Sequence, residues 1–399
     1  MKQTFILSNN QLLSIANQMK EKIEEGLKAD KQELRCLVSY LSNQKIVDDY
    51  RALALDFGGT NLRGGIVSMA QGKFKIENKI LETKLPIIRG EALSKDRYFA
   101  VQSDLINALQ PPPGLPLGYC FSYPTLPMAD GDATLIKWTK EVNVPEVLNK
   151  PVGALLKEHL IQSGSYICSE YVVINDTIAG LFAGWAMTKA DAHIGLIVGT
   201  GTNIATFIDE KNIPKLGLAY SGNRQLPVNL ESGNFTPPFL SEWDDVVDRE
   251  STNPGEQRFE KAVSGVYLSQ IFKARYPNAQ LDANEGVPGL LKIIEGQYGF
   301  TIDQIGFAKT IIERSAKLVA SALAGTILFL SKNKSLQEVS ITGEGSLLNL
   351  TIGYKSTVQK TLKNLLHQSD LSETSFTIHN IENANLIGSA VAVLANRHT

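Results

Sequence analysis

Two short glycine-threonine turns and a set of dispersed carboxylates carry the chemistry of this chain. The first turn sits in Leu53-Ala54-Leu55-Asp56-Phe57-Gly58-Gly59-Thr60-Asn61-Leu62-Arg63-Gly64-Gly65-Ile66-Val67, a run that reads as strand, tight turn and strand. Gly58 and Gly59 have no Cβ, so backbone N–H groups there can approach phosphate oxygens. The Thr60 hydroxyl can donate to the same oxygens, and Asp56 can hold a hydrated Mg²⁺. Taken alone, the turn reads equally as an ordinary Gly-Gly hairpin. A second segment, Ile194–Ile208, repeats the plan: an apolar run, the turn Gly199-Thr200-Gly201, then Thr202-Asn203 and another apolar run. The repetition implies two related α/β halves that each present a turn to one nucleotide between them.

These turns need strands and helices to hold them, and the chain supplies both in alternation. Ser8 to Lys28 reads as an amphipathic helix opened by a Ser8/Gln11 capping box. Strand-turn-strand follows from Arg51 to about Ile80, and a helical stretch lies near Tyr98 to Leu109. The Pro111-Pro112-Pro113-Gly114-Leu115-Pro116 cluster is a rigid loop, and Leu117 to Tyr123 is a strand candidate. Tyr171-Val172-Val173-Ile174 is a buried strand that meets Asn175-Asp176-Thr177 and then a helical pattern to Met187. Leu216 to about Asn253 reads as loop-rich, Thr310 to Leu330 as a helix, Glu338 to Thr342 as a strand and Leu386 to Asn396 as a closing helix. Alternation of this kind predicts an α/β architecture.

With 399 residues, 43% apolar and 20% charged, the chain has enough material for two soluble α/β domains. A net charge of −2 without basic or acidic blocks argues against nucleic-acid or membrane-surface partners and for small molecules. The N-terminal residues lack a signal-peptide pattern and no apolar segment is long enough to span a bilayer, so the expected location is cytoplasmic. Cys36, Cys120 and Cys168 are widely spaced and unpaired in pattern, which predicts reduced, buried thiols. The five histidines show no metal-ligand spacing and read as surface or satisfied polar residues.

From Leu53 onward the motifs, in order, resemble the hexokinase family, the eukaryotic-type sugar kinases with the actin-like fold. Leu53 to Arg63 resembles its first phosphate motif, Pro116-Leu117-Gly118-Tyr119-Cys120-Phe121-Ser122-Tyr123-Pro124 its sugar-binding strand, and Lys137-Trp138-Thr139-Lys140 its Trp-Thr-Lys segment. Val173-Ile174-Asn175-Asp176-Thr177 is similar to the catalytic Asn-Asp-Thr, and Val198 to Asn203 to the second phosphate motif. Asn253-Pro254-Gly255-Glu256-Gln257 followed by Glu260 resembles the Asn-Pro-Gly-x-Gln segment with its sugar-contacting glutamate, and Gly343-Glu344-Gly345-Ser346 the adenosine motif. The chain departs from the pattern at Lys137, at Glu141-Val142 and at Ser232-Gly233-Asn234, which puts the sugar preference in question.

The resemblance implies a two-domain actin-like, ribonuclease H-like ATPase fold with the active site in the cleft. The smaller domain would span 47–175 and be completed by a helix over 385–399, the larger 176–384 with 1–46. It implies an ATP-dependent hexokinase acting on the 6-hydroxyl of a hexose, with glucose as the expected sugar. Asp176 would be the general base and Lys140 would orient sugar and phosphoryl group; read alone, Asn175-Asp176-Thr177 is more often a helix cap than a catalytic base. Ser122, Thr139, Lys140, Asn175, Asp176, Asn203, Glu231 and Glu260 would surround the sugar. Asp56, Gly58, Gly59, Thr60, Asn61, Arg63, Thr200, Gly201, Gly343 and Ser346 would hold ATP, with Asp56 holding Mg²⁺ through water. Trp138 reads as a packing aromatic. The chain reads as one catalytic unit without a duplicated half. The rival readings are a kinase for mannose, fructose or an N-acetylhexosamine, and a non-catalytic sugar sensor; the bacterial branch with a Cys-rich zinc motif does not fit, since that motif is absent.

Overall fold

The run Ala52 to Phe57 is buried throughout, and its side chains sort by size: Leu53, Leu55 and Phe57 face one core, while Ala52 and Ala54 face another. In a strand successive side chains point to opposite faces, so this alternation leaves one face bulky and the other flat enough for a helix to lie close. The computed structural model describes residues 5–396 apart from 45, 47–49, 71–72, 89 and 218–223. The expected boundary at Val47 and the last residues of the expected 385–399 helix lie outside these.

In chain order, α1 (Asn9–Lys28) and β1 (Leu37–Val38) precede the hairpin strands β2 (Arg51–Phe57), β3 (Asn61–Ala70) and β4 (Lys73–Lys84). Next come α2 (Lys95–Leu109), β5 (Leu117–Phe121), β6 (Thr125–Pro127), β7 (Ala133–Leu135), α3 (Val152–Gln162), β8 (Tyr171–Ile174) and α4 (Asp176–Met187). The second half runs β9 (Ala192–Val198), β10 (Thr202–Asp209), β11 (Gln225–Asn229), α5 (Glu242–Glu250), α6 (Arg258–Val263), α7 (Gly265–Arg275), α8 (Val287–Ile294) and α9 (Ile302–Leu330). It closes with β12 (Glu338–Glu344), α10 (Ser346–Leu350), α11 (Tyr354–Gln368), β13 (Ser375–His379) and α12 (Ala384–Ala395).

One plan occurs twice. The first sheet has the order β4-β3-β2-β5-β8 and the second β1-β11-β10-β9-β12-β13. In each, an antiparallel three-strand meander is extended by two parallel strands on the side of its first strand. Each Gly/Thr turn joins the first two strands of its meander. The helices are exchanged: α4 leaves the first sheet to pack on β9, and α12 leaves the second to pack on β2 and β5. Both contacts are close. A Cβ on Gly195 of β9 would lie 2.3 Å from the Thr177 carbonyl oxygen, and one on Gly118 of β5 would lie 2.1 Å from that of Ser389. The two helices then press on each other where Gly388 meets the Ala179 carbonyl.

The capping box of α1 forms as expected, with Ser8 N–H donating to Gln11 Oε1 at 2.9 Å. The cysteines are free and buried, and Trp138 packs edge-on against Tyr98, Phe121 and Tyr123. Three expectations need correction. The stretch Leu216 to Asn253 contains β11 and α5, the latter opened by a capping box from Ser241 and Asp244. α9 starts at Ile302 rather than Thr310, because Thr301 and Gln304 form a third capping box. His193 is half-buried and only partly satisfied: its ring bonds to the Thr188 backbone but its Nε2 has no partner, and burial pushes it below its ordinary value.

A Cβ at position 388 would come within 1.8 Å of the Ala179 carbonyl oxygen, so Gly388→Ala forces the helices apart. It should lose on the order of 3 kcal/mol, the upper range for overpacking, seen as a lower urea midpoint. Gly306→Ala in α9, where nothing lies within 4 Å, should be neutral or stabilising by about 0.5–1 kcal/mol. Equal midpoints for Gly388→Ala and the parent chain would mean that the helix crossing is not tight.

Candidate active site

The first turn is tied down from behind and open in front. Leu85 N–H donates to Thr60 O at 2.9 Å, and Tyr123 Oη donates to Gly59 O at 2.6 Å. Gly59 has φ 137°, in the region that favours glycine. Gly58, Thr60 and Asn61 are exposed. The Lys140 ammonium donates to Gly58 O at 3.2 Å and Ser122 O at 3.0 Å, so it joins the sugar-strand end to the turn. Lys140 and Glu141 both have positive φ (57° and 64°), which makes the loop after Trp138 turn sharply back. Ser122 and Thr139 are half-buried beside it.

The second turn leans on the segment after β12. Gly199 N–H donates to Gly201 O at 2.9 Å, and a Cβ on Gly345 would lie 2.3 Å from Val198 O. Thr200 and Ser346 are exposed, whereas Gly343 is a buried residue of β12 whose Cβ would lie 2.5 Å from Leu348 Cδ2. The structure therefore gives Thr200, Gly201 and Ser346 one shared neighbourhood and places Gly343 in packing.

Two groups of carboxylates meet around Asp176, the first residue of α4. Asn175 is the N-cap, its Oδ1 accepting from Ile178 N–H at 2.9 Å, and Asp176 Oδ1 accepts from Thr177 N–H at 2.8 Å. On one side lies Asp56, which Asn385 Nδ2 reaches at 3.3 Å and Arg63 Nη1 at 3.9 Å. Burial pushes the Asp56 carboxyl up, Asn385 and Arg63 pull it down, and the charge of Asp176 pushes it up again. Glu344 is pushed to about 7 by burial, then by the charges of Asp56 and Asp176. Its buried Oε1 has no partner.

On the other side Asn203 and Glu231 are joined through Asn229, and Glu260 bonds to the residue before Asn203. Asn203 Nδ2 donates to Asn229 Oδ1 at 2.8 Å, and Asn229 Nδ2 donates to Glu231 Oε1 at 2.7 Å. Glu260 Oε2 accepts from Thr202 N–H at 3.1 Å. Burial raises both glutamates; Asp176 adds to the rise of Glu231, and Glu231 to that of Glu260. Asn229, Asn385 and Glu344 were not singled out in the sequence. A polar residue ending an apolar strand two places before Glu231 was the available signal for Asn229.

The hexokinase family models match residues 1–185 and, for the second part, residues 193–276 and 305–395. The chain is 32% identical to hexokinase-2 of Solanum tuberosum over 282 residues, 66% of this chain and 56% of that protein. It is 26% identical to hexokinase-1 of Bos taurus over 418 residues, 92% of this chain and 45% of that one. The chain thus spans about half the length of the curated relatives it matches. Its fold is that of the hexokinase from Schistosoma mansoni complexed with glucose, with a TM-score of 0.78 at 21% identity, covering 98% and 96% of the two chains. A ROK hexokinase from Thermus thermophilus aligns with a TM-score of 0.54 at 15% identity over 86% and 97%.

Glu344 gives a pH prediction for the protein free of metal and nucleotide. Its folded-state value of about 7 lies above the ordinary 4.5, so folding favours the protonated carboxyl. That stabilisation is complete below the ordinary value and is lost as pH rises through about 7. Glu344→Gln should therefore melt higher than the parent chain at pH 8, with the difference closing at pH 4. A difference that is the same at both pH values would show that the carboxyl is not raised.

Proposed function

The chain belongs to the hexokinase family, whose models cover most of it, and from that premise we propose that it transfers the γ-phosphoryl group of MgATP to the 6-hydroxyl of a hexose, glucose foremost. The observation that carries this reading is the position of Asp176, whose charge acts at once on Glu231 on the sugar side and on Asp56 and Glu344 on the phosphate side. A group placed there can take a proton from a hydroxyl held by one set while the phosphoryl donor is held by the other.

Each residue has a task in this reading. Asn203 and Glu231, braced by Asn229, and Glu260 accept and donate to ring hydroxyls from one wall, and Ser122, Thr139 and Asn175 from the other. Asp176 accepts the 6-hydroxyl proton; Thr177 N–H, bonded to its Oδ1, holds the carboxylate in place. Lys140, between the Ser122 and Gly58 carbonyls, orients the sugar relative to the phosphates. Gly58, Gly59, Thr60, Asn61 and Arg63 receive phosphate oxygens on one side, and Thr200, Gly201 and Ser346 border the nucleotide on the other, with Gly343 packed within β12. Asp56 and Glu344 fit a hydrated divalent cation: Asp56 is a buried acid, and Glu344 is half-buried with a buried, unpartnered oxygen. Mg²⁺ bound there supplies charge neutralisation for the triphosphate.

The same reading takes 47–175 with 385–399 as the smaller domain and 176–384 with 1–46 as the larger. The five-stranded sheet between Arg51 and Ile174, with α12 packed on it, and the pairing of β1 with β11 support the division. Among the described residues no helix is long and apolar enough to cross a membrane. A cytoplasmic site, where ATP is available and the three cysteines remain thiols, completes the proposal.

A coupled ADP-release assay with MgATP and glucose, mannose, fructose and N-acetylglucosamine tests it. Hexose-dependent ADP release is expected, and its absence with every sugar would favour the non-catalytic sensor. Asp176→Asn should lower kcat by ~10²–10⁴-fold. Its Tm should hardly change, because Asn175 and not Asp176 caps α4. A variant that keeps more than about a tenth of the activity would refute the general-base role.

A further inference from the structure

Glu260 is delivered by a loop that has no sheet or long helix to hold it. Residues 251–257 join α5 to the short α6, and the loop ends on Gln257 with φ 51°, a left-handed conformation unusual for a non-glycine residue. Such a conformation persists only where its surroundings over-determine it. They do so chiefly through Asp248, with Asp245 adding a contact to Arg258. Asp248, in α5 and 5% exposed, accepts from Gly255 N–H at 3.0 Å, from Arg258 Nη1 at 3.1 Å and from Lys261 Nζ at 2.7 Å. Lys261, 3% exposed, also donates to Asn253 O at 2.7 Å, and Asn253 Nδ2 donates to Gln257 Oε1 at 2.9 Å. Burial pushes the Asp248 carboxyl up, but the hydrogen bonds from Lys261 and Gly255 and the charges of Arg258 and Lys261 outweigh it and leave it below its ordinary value.

We infer that Asp248 is a positioning residue for the hexose site: through Gly255, Arg258 and Lys261 it sets where α6 presents the Glu260 carboxylate. Little slack is available there, since a Cβ on Gly201 would lie 2.7 Å from Glu260 Oε2 and one on Gly233 would lie 3.3 Å from its Cβ. The far end of α6 is anchored separately, with Ser315 Oγ donating to Val263 O at 2.7 Å, so the Asp248 end can shift without carrying the whole helix with it. The inference rests on the sugar-kinase reading given above.

Asp248→Asn should raise the KM for the preferred hexose about tenfold, the scale of a sub-ångström misplacement. The KM for ATP and kcat at saturating sugar should stay within about threefold, as when binding common to ground and transition states is lost. Asp244→Asn is the control. That carboxylate is on the same helix and equally buried, but pairs with Arg314 at 2.8 Å instead of the loop. It should lower Tm without moving the hexose KM. Should Asp248→Asn alone fail to fold, Asp248→Asn with Lys261→Met removes both buried charges together, and the raised hexose KM should persist. A hexose KM within twofold of the parent in the folded single or double variant overturns the inference, as does an equal rise in Asp244→Asn. If the parent chain itself releases no ADP with any hexose, the functional reading falls and takes the inference with it.

Discussion

The crossing of α4 and α12 at Ala179 and Gly388 is the contact on which the site depends. Each helix carries a polar side chain of the candidate site three residues before the crossing: Asp176 on α4 and Asn385 on α12. Three residues is a little less than one helical turn, so both groups project from the faces that meet. The helices run from opposite sheets, and their N-terminal ends are thereby brought together whatever the loops do. Asp56 completes the arrangement because β2 ends beside α12, where Asn385 reaches its carboxylate. The close approach is possible only because small residues line it. Ala52 and Ala54 on β2, Gly118 on β5 and Gly195 on β9 give the helices flat surfaces to lie on.

The charge in this site is held in an unbalanced state. Asp56, Asp176 and Glu344 face one another, with Arg63 as the nearest counter-charge, and Arg63 also bonds to Asn383 Oδ1. Amide donors do most of the remaining work: Asn385 for Asp56, Thr177 N–H for Asp176, Asn229 for Glu231 and Thr202 N–H for Glu260. Neutral donors leave net negative charge to be met by ligands. In the proposed reading a polyhydroxylated sugar would meet it with hydroxyl protons on one side, and a cation with its phosphates on the other. Lysine or arginine at the same places would satisfy the acids before any ligand arrived.

The local motifs were legible because their chemistry is contained in a few consecutive residues. Gly58-Gly59-Thr60 and Asn175-Asp176-Thr177 each need only a strand on one side and a turn or helix on the other, and the flanking apolar runs supply that. The repeated turn also disclosed the doubling of the sheet, which the two strand orders bear out. What could not be read was pairing at a distance. Asn385 and Asp56 are separated by 329 residues, and nothing near either names the other. Asn229 acts through Asn203 and Glu231 on different elements, and α5 was hidden in a stretch whose Pro and Gly content suggested loop. Asp248 reads as one surface acid among the several in α5 until the loop folds back on it.

The doubling also places one turn plan in two different surroundings. The two turns are alike in backbone and strand context, yet what lies against them has opposite charge. A Cβ on Gly59 would lie 3.2 Å from Lys140 Cδ, whereas one on Gly201 would lie 2.7 Å from Glu260 Oε2. The same small-residue vacancy thus admits a cationic side chain in one half and a carboxylate in the other. With Lys140 behind it, the first turn presents N–H groups and a positive neighbour to an anion. With Glu260 bonded to Thr202 N–H, the second turn has lost a donor to its own chain and gained an acceptor suited to hydroxyl protons. The difference between the halves therefore comes from the residue that each half places against its glycine turn, and the shared backbone needs no change to support it.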